Sequence, residues 1–185
     1  MTLLEILSKD EYRAAEKTIT DAFYTSPVVS GAIYDALENM GFHGGRVLEP
    51  SMGIGNFFGT MPETMRNNSQ LVGVEIDSIT GRIAQQLYQN AEIQISGIEK
   101  TKFANGSFDV AVGNVPFGDF KVSDRGYNKY KFLIHDYFFA KALDKVKDGG
   151  IVVAYLRTAD KVDEAHTLVG FRRSPAFKQV VKLLA

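Results

Sequence analysis

The stretch VLEPSMGIGNFFG, residues 47–59, runs from an apolar strand into a glycine-bearing turn and then a short amphipathic segment. Arg46 to Glu49 is predicted as a strand, and Asn56 to Thr60 as a short helix. Between them, Gly53 and Gly55 let the backbone pass close to a ligand where a Cβ would obstruct it. The spacing, with Gly59 three residues beyond Asn56, departs from the G-x-G-x-x-G fingerprint of dinucleotide sites. A strand that breaks into a glycine turn and a helix is the first half of a parallel α/β unit.

The sequence on either side continues that alternation. Upstream, Ser8 and Glu11 form a capping-box pattern for a polar helix through Thr20. Ser26-Pro27 sets a cap and first-turn proline before a second helix that Gly41 stops. Downstream, strands are predicted at Gln70–Ile76, Glu92–Ser96, Phe108–Val112 and Ile151–Leu156. Asp77 and Ser78 cap a helix running to Gln89. A long loop reaches Lys131, and a helix over Phe132–Val146 ends at Gly149-Gly150. Strands alternating with helices predict a mostly parallel, doubly wound α/β sheet with N-terminal helices. Residues 1–45 read as a helical segment packed on the core, 46–160 as the core, and 161–185 as a basic tail, one domain overall. Ser174-Pro175 is expected to start a short basic helix within that tail.

With 185 residues and 45% hydrophobic content, the chain can bury a sizeable core. The absence of cysteine excludes disulfides and thiolate metal centres, and three scattered histidines argue against a metal site built on imidazoles. Apolar runs such as Ile151–Leu156 are too short to span a bilayer, and the N-terminus does not read as a signal peptide, so a cytoplasmic protein with no membrane partner is expected. Charge is unevenly spread. Residues 1–120 carry 8 basic and 15 acidic side chains, a net −7, whereas 121–185 carry 13 and 7, a net +6. The basic portion suits an anionic partner.

Ligands of open α/β sheets bind beyond the carboxyl ends of the strands. Glu75, ending the second strand some 20 residues beyond the glycines, is placed to accept hydrogen bonds from ribose hydroxyls. Together with the glycine turn it points to an adenosine-containing cofactor. Glu49-Pro50, just before the turn, bears on which one. A pyrophosphate avoids a neighbouring carboxylate, whereas the sulfonium and ammonium of S-adenosylmethionine are attracted by it; Arg46 is the alternative partner for Glu49. At the fourth strand, Asn114-Val115-Pro116-Phe117 combines a side-chain carbonyl, a backbone carbonyl freed by proline, and an aromatic plate. Two acceptors gripping the hydrogens of a nucleobase amine draw it toward a tetrahedral nitrogen able to attack a methyl group. The following loop interleaves Lys121, Arg125, Lys129 and Lys131 with Phe120, Tyr127 and Tyr130, suiting a nucleic-acid backbone and an extruded base. Asp119 and Asp124 reduce its charge. His43 and His166 read as surface residues, His135 as a structural donor, and Met52, Phe57 and Phe58 as core.

Taken in order, AFYTSP (22–27), LEPSMGIGNF (48–57), GVEID (73–77), GNVPFGDF (113–120), IHDYFFAKAL (134–143) and GGIVVAYL (149–156) resemble the amino-group DNA methyltransferases that modify adenine at N6, and most closely the methylase modules of helicase-associated and mobile-element methylases. The resemblance implies a Rossmann-like methyltransferase fold using S-adenosylmethionine. It implies Tyr24 and Thr25 on the methionine part, Glu49, Pro50, Gly53 and Gly55 around it, Glu75 on the ribose, Ile76 against the adenine and Glu99 near its amine. Asn114, Pro116 and Phe117 would be the catalytic set, Val115 would supply its carbonyl to the substrate, and Asp136 and Tyr137 would line the target pocket. Val115 stands where the family has a first proline. Two strands after the fifth, and a target-recognition domain, are not evident. A helicase-like or specificity partner is therefore expected. Methylation of RNA bases or a protein glutamine, a non-catalytic methylase module, and a nicotinamide oxidoreductase are the rival readings, the last disfavoured by Glu49.

Overall fold

Alternation along the buried strands sets the architecture. In β1 (Arg46–Glu49) Val47 faces one core and Leu48 the other; in β2 (Gln70–Glu75) Leu71 faces the first, and Val72 and Val74 the second. The same division holds in β4 (Phe108–Asn114), where Val110 and Val112 oppose Ala111. Both faces of the sheet are therefore dry, which is why these strands read as unbroken apolar runs. The computed structural model of the protein describes residues 8–9, 25–157, 165–173 and 177–184. Tyr24, and nearly all of the helix expected through Thr20, lie outside the described residues.

One core is covered by α1 (Pro27–Asn39) and by α2 (Asn56–Thr60) after the glycine turn. Ser26 caps α1 as expected, its hydroxyl accepting from the Val29 amide, and Gly41 ends it in the left-handed region at φ 88°. A further short helix, α3 (Glu63–Asn67), has no counterpart in the sequence reading. Asp77 caps α4 (Ser78–Leu87), its carboxylate accepting from the Thr80 amide at 2.7 Å, and β3 (Glu92–Ile95) follows. The second core lies under α5 (Ile134–Lys145).

The strand order is β3-β2-β1-β4-β5-β6-β7, with β5 spanning Val146–Arg157, β6 Ala165–Arg173 and β7 Phe177–Leu184. The first five strands are parallel, and β6 and β7 add two antiparallel strands. Two strands thus stand where a basic tail was expected, and Phe177–Leu184 is extended where a short helix was expected. Their Thr, Val, Leu and Phe content favours a pleated ribbon over a helix. A second correction concerns Gly149-Gly150. The strand begins directly after α5 at Val146, and the glycines form an irregularity within it, between the pairs Phe108↔Val146 and Val110↔Ile151. Gly149 has φ 82°, and a Cβ on Gly150 would lie 2.8 Å from the Asp109 carbonyl oxygen. Among the described residues, no helix is long and apolar enough to cross a membrane.

Candidate functional site

The chain builds β2 and β3 on one side of β1, and β4 and β5 on the other. The topological switch therefore lies between β1 and β4, where an open α/β sheet forms its crevice. Their carboxyl ends are in contact there. A Cβ on Gly113 would lie 3.5 Å from Cγ of Glu49 and 3.6 Å from Cδ of Pro50, bringing the two sequence-predicted ends together.

Glu49 is 2% exposed, and its Oε2 is buried with no hydrogen-bond partner among the described residues. Burial, then the nearby charge of Glu75, push its carboxyl well above the ordinary glutamate value, against a hydrogen bond from the Phe57 amide. Arg46 does not neutralise it. That guanidinium lies 4.5 Å over the Phe108 ring and 3.6 Å from Glu92. Thr25 is also buried, and its hydroxyl oxygen has no partner among the described residues. The buried Glu49 oxygen without a partner is a group that a cationic ligand would satisfy.

Gly53 (φ 56°) and Gly55 (φ 87°) turn the chain in the left-handed region, and no heavy atom lies within 4 Å of a Cβ on Gly53. Glu75 ties this turn to β2. Its Oε2 accepts from the Gly53 amide and its Oε1 from the Asp77 amide, both at 2.8 Å. Burial raises its carboxyl above the ordinary value, more than those amide bonds lower it. Ile76, next in the chain, is 73% exposed and offers an apolar surface beside it. Glu99 stands on the 3₁₀ turn Ile98–Lys100, shortly after Ser96, whose amide bonds the Glu75 carbonyl.

Two tyrosines that sequence reasoning missed brace the turn from behind. The Tyr88 hydroxyl donates to the Gly55 carbonyl at 2.7 Å, and the Tyr34 hydroxyl to the Phe57 carbonyl at 2.8 Å. Their partners lie 33 and 23 residues away, so no local pattern marks them. Tyr88→Phe should lower stability by about 0.5–1.5 kcal/mol, the usual worth of one such bond. An unchanged denaturation midpoint would remove Tyr88 from the support of the turn.

At the other end, Asn114 closes β4 opposite Tyr155, and the Val115 amide bonds the Tyr155 carbonyl at 3.1 Å. The Val115 side chain is buried, which anchors the backbone just before Pro116. Phe117 is 48% exposed and stacks on His135, with centroids 4.6 Å apart and planes 17° from parallel. The loop beyond is held down by a buried charge pair. Lys141 donates to Asp124 Oδ2 at 2.6 Å and the Tyr137 hydroxyl donates to the same oxygen at 2.8 Å. Burial works to raise the Asp124 carboxyl, but the bonds from Lys141, Tyr137 and the Gly126 amide prevail and hold it below the ordinary aspartate value. Tyr137 is thus buried as a loop anchor, while Asp136 is exposed with an oxygen 3.8 Å from His135 Nε2. Lys121, Arg125, Lys129 and Lys131 are all exposed. Asp124 is engaged by Lys141, so it offsets their charge less than the sequence alone implied.

This arrangement is the Rossmann-like fold of S-adenosylmethionine-dependent methyltransferases. One solved structure of that fold is the type I restriction-modification system methyltransferase subunit from Streptococcus thermophilus, with a TM-score of 0.60 and 14% identity, covering 74% of this chain and 34% of that one. An rRNA methylase from Streptococcus thermophilus has a TM-score of 0.51 and 17% identity, covering 74% and 73%. No family model matches the chain. In sequence, it is 34% identical over 135 residues to Defense against restriction protein B of Escherichia phage P1. That match takes in 70% of this chain and 6% of the phage protein, so the chain spans a small part of that relative's length.

Proposed function

We propose that the chain is an S-adenosylmethionine-dependent methyltransferase domain acting on the N6 amine of adenine in DNA by base flipping. The observation that carries this reading is the close approach, across the switch point, of a buried Glu49 with an unpartnered oxygen to Gly113 of β4, the strand that closes at Asn114 and leads into Val115-Pro116-Phe117. The unpartnered Glu49 oxygen fits an ammonium or sulfonium ligand. Tyr24 and Thr25 belong to the same proposed set, and Pro50, Gly53 and Gly55 would let the ligand lie against the backbone. Glu75 would take the ribose hydroxyls, since each carboxylate oxygen keeps a lone pair beyond its amide bond. Ile76 would face the adenine, with Glu99 near its amine. The bound cofactor would supply an electrophilic methyl group on a sulfonium centre.

The protein's own groups do the rest. An adenine amine is a poor nucleophile because its lone pair is delocalised into the ring. The Asn114 side-chain carbonyl and the Val115 backbone carbonyl accept its two hydrogens and favour a tetrahedral nitrogen, while Phe117 holds the ring. Its proton leaves after the attack, so no base with a tuned pKa is needed beforehand. Asp136, next to the His135 on which Phe117 stacks, would line the target pocket, and Tyr137 acts through the loop it anchors. The name of the phage relative and that of the restriction-modification neighbour support DNA; the rRNA methylase neighbour supports RNA as the second reading. A helicase-like or specificity partner belongs to the proposal as well.

Transfer of radiolabelled methyl groups to unmethylated DNA, RNA and protein pools, followed by nucleoside analysis, tests the reading. N6-methyladenine from DNA is the expected product, label in RNA alone selects the second reading, and label in protein alone or nowhere overturns both. Glu75→Ala should weaken cofactor binding by about 1–3 kcal/mol, because it removes charge-assisted bonds to the ribose and the tie to Gly53. Calorimetry showing an unaltered affinity would take Glu75 out of the site.

A further inference from the structure

The loop over residues 115–133 carries every exposed aromatic side chain among the large hydrophobics of the described residues. Phe117, Phe120 and Tyr130 are 48%, 57% and 54% exposed. The exposed aliphatic ones all lie elsewhere, such as Ile83 and Leu87 on α4. The rings share the loop with four exposed cations, Lys121, Arg125, Lys129 and Lys131. Each ring is also supported from its own neighbourhood. Phe117 stacks on His135, Tyr130 stacks on Phe132 at 5.2 Å and 19°, and the Phe120 ring packs against Gly118, where a Cβ would lie 2.8 Å from it.

The loop is tied to α5. Besides the bonds of Asp124 to Lys141 and Tyr137, the Tyr127 hydroxyl donates to Asp144 at 2.5 Å, and the Ile134 amide bonds the Phe120 carbonyl at 3.0 Å. The same loop exposes Lys121, Arg125, Lys129 and Lys131, none in an ion pair among the described residues, with Asp119 as its exposed acid. Lys129 lies 4.8 Å from the Tyr130 centroid.

Backed, half-exposed rings on a loop of exposed cations are suited to stacking on bases while the cations follow a phosphate chain. In a duplex the base faces are already stacked on one another. Phosphate contacts alone would explain the lysines but would leave the rings idle. We propose that this loop binds single-stranded nucleic acid, with Phe120 and Tyr130 stacking on bases that flank the one received at Phe117. The inference rests on the methyltransferase reading for what Phe117 receives, and it removes the unpairing cost that flipping from a duplex carries.

Fluorescence anisotropy of the full chain with labelled single-stranded DNA, single-stranded RNA and the matching duplexes tests it. Single strands of one or both kinds should bind at least about tenfold more tightly than duplexes at equal salt, and the DNA and RNA arms identify which is preferred. Phe120→Ala and Tyr130→Ala should each weaken single-strand binding about five- to 150-fold, with duplex binding and thermal unfolding unchanged. Tyr130→Trp should retain affinity and Tyr130→Leu should not, which separates stacking from mere apolar contact. Replacing Lys121, Arg125, Lys129 and Lys131 by glutamine should instead flatten the salt dependence on single strands, by about 0.7 for each phosphate that a cation no longer neutralises. Equal binding of duplex and single strand, wild-type affinity in both alanine variants, or full rescue by leucine overturns the proposal. Single-strand binding through these rings without methyl transfer overturns the methyltransferase reading alone. Methylation of duplex DNA that is unaffected by loss of both rings overturns this inference alone.

Discussion

Asn114→Ala should abolish most methyl transfer while leaving cofactor affinity nearly unchanged. The residue closes β4 at the switch point, on the side of the sheet remote from Glu75 and β3. In the proposed mechanism it acts on the acceptor amine and makes no contact with the donor. Its side-chain carbonyl draws one hydrogen of that amine as positive charge develops on nitrogen, an interaction stronger in the transition state than in the ground state. Removing a single preorganised group of this kind costs about 10²–10³ in kcat. The Val115 carbonyl remains, so a fraction of the activity should survive. The signature is therefore a fall in kcat with little change in the cofactor's dissociation constant. A variant that methylates at the wild-type rate would remove Asn114 from the chemistry, and one that loses cofactor affinity in parallel would make it a structural residue of the sheet.

The parallel half of this fold was legible because its signals are local. Buried parallel strands give unbroken apolar runs such as Val72–Val74 and Ile151–Val153, and caps such as Ser26 and Asp77 satisfy amides three residues away. What was missed needed information from a distance, or fell below the length at which a period can be seen. The helix Glu63–Asn67 is five residues long and spans less than two turns. Gly149-Gly150 reads the same as a helix stop or as a bulge inside a strand, and only the register against β4 distinguishes them.

The site divides in the same way. Its strand-end residues, Glu49, Glu75 and Asn114, could be placed from the element pattern alone. The partners that support them could not. Tyr88 reaches Gly55 across 33 residues, and His135 finds Phe117 only because α5 returns to the end of β4. Asp124 looked like a surface charge that diluted a basic loop; folding makes it the internal counter-ion of Lys141.

Glu49→Gln should make the free protein more stable and the cofactor site nearly useless. The wild-type carboxyl is raised well above its ordinary value, so over the pH range between its unfolded and folded values the native state holds a proton that the unfolded chain has released. Stability from this group therefore falls as pH rises from the ordinary glutamate value to the folded one, by about 1.4 kcal/mol for each unit of separation. A glutamine has no such charge to bury. Its unfolding temperature should exceed that of the wild type at pH 7–8, and the two should converge near pH 4. Binding should move in the opposite direction. The unsatisfied Oε2 is the group that a cationic ligand would neutralise, and loss of one partner of a buried charged pair costs about 2–5 kcal/mol. Because a cation favours the ionised carboxyl, binding to the wild type should release a proton, seen as a dependence of calorimetric heat on the buffer's ionisation enthalpy. The variant should show neither the affinity nor the proton. Wild-type affinity for S-adenosylmethionine in the glutamine variant, or a fall in its unfolding temperature at neutral pH, would mean that Glu49 serves the fold and not the ligand.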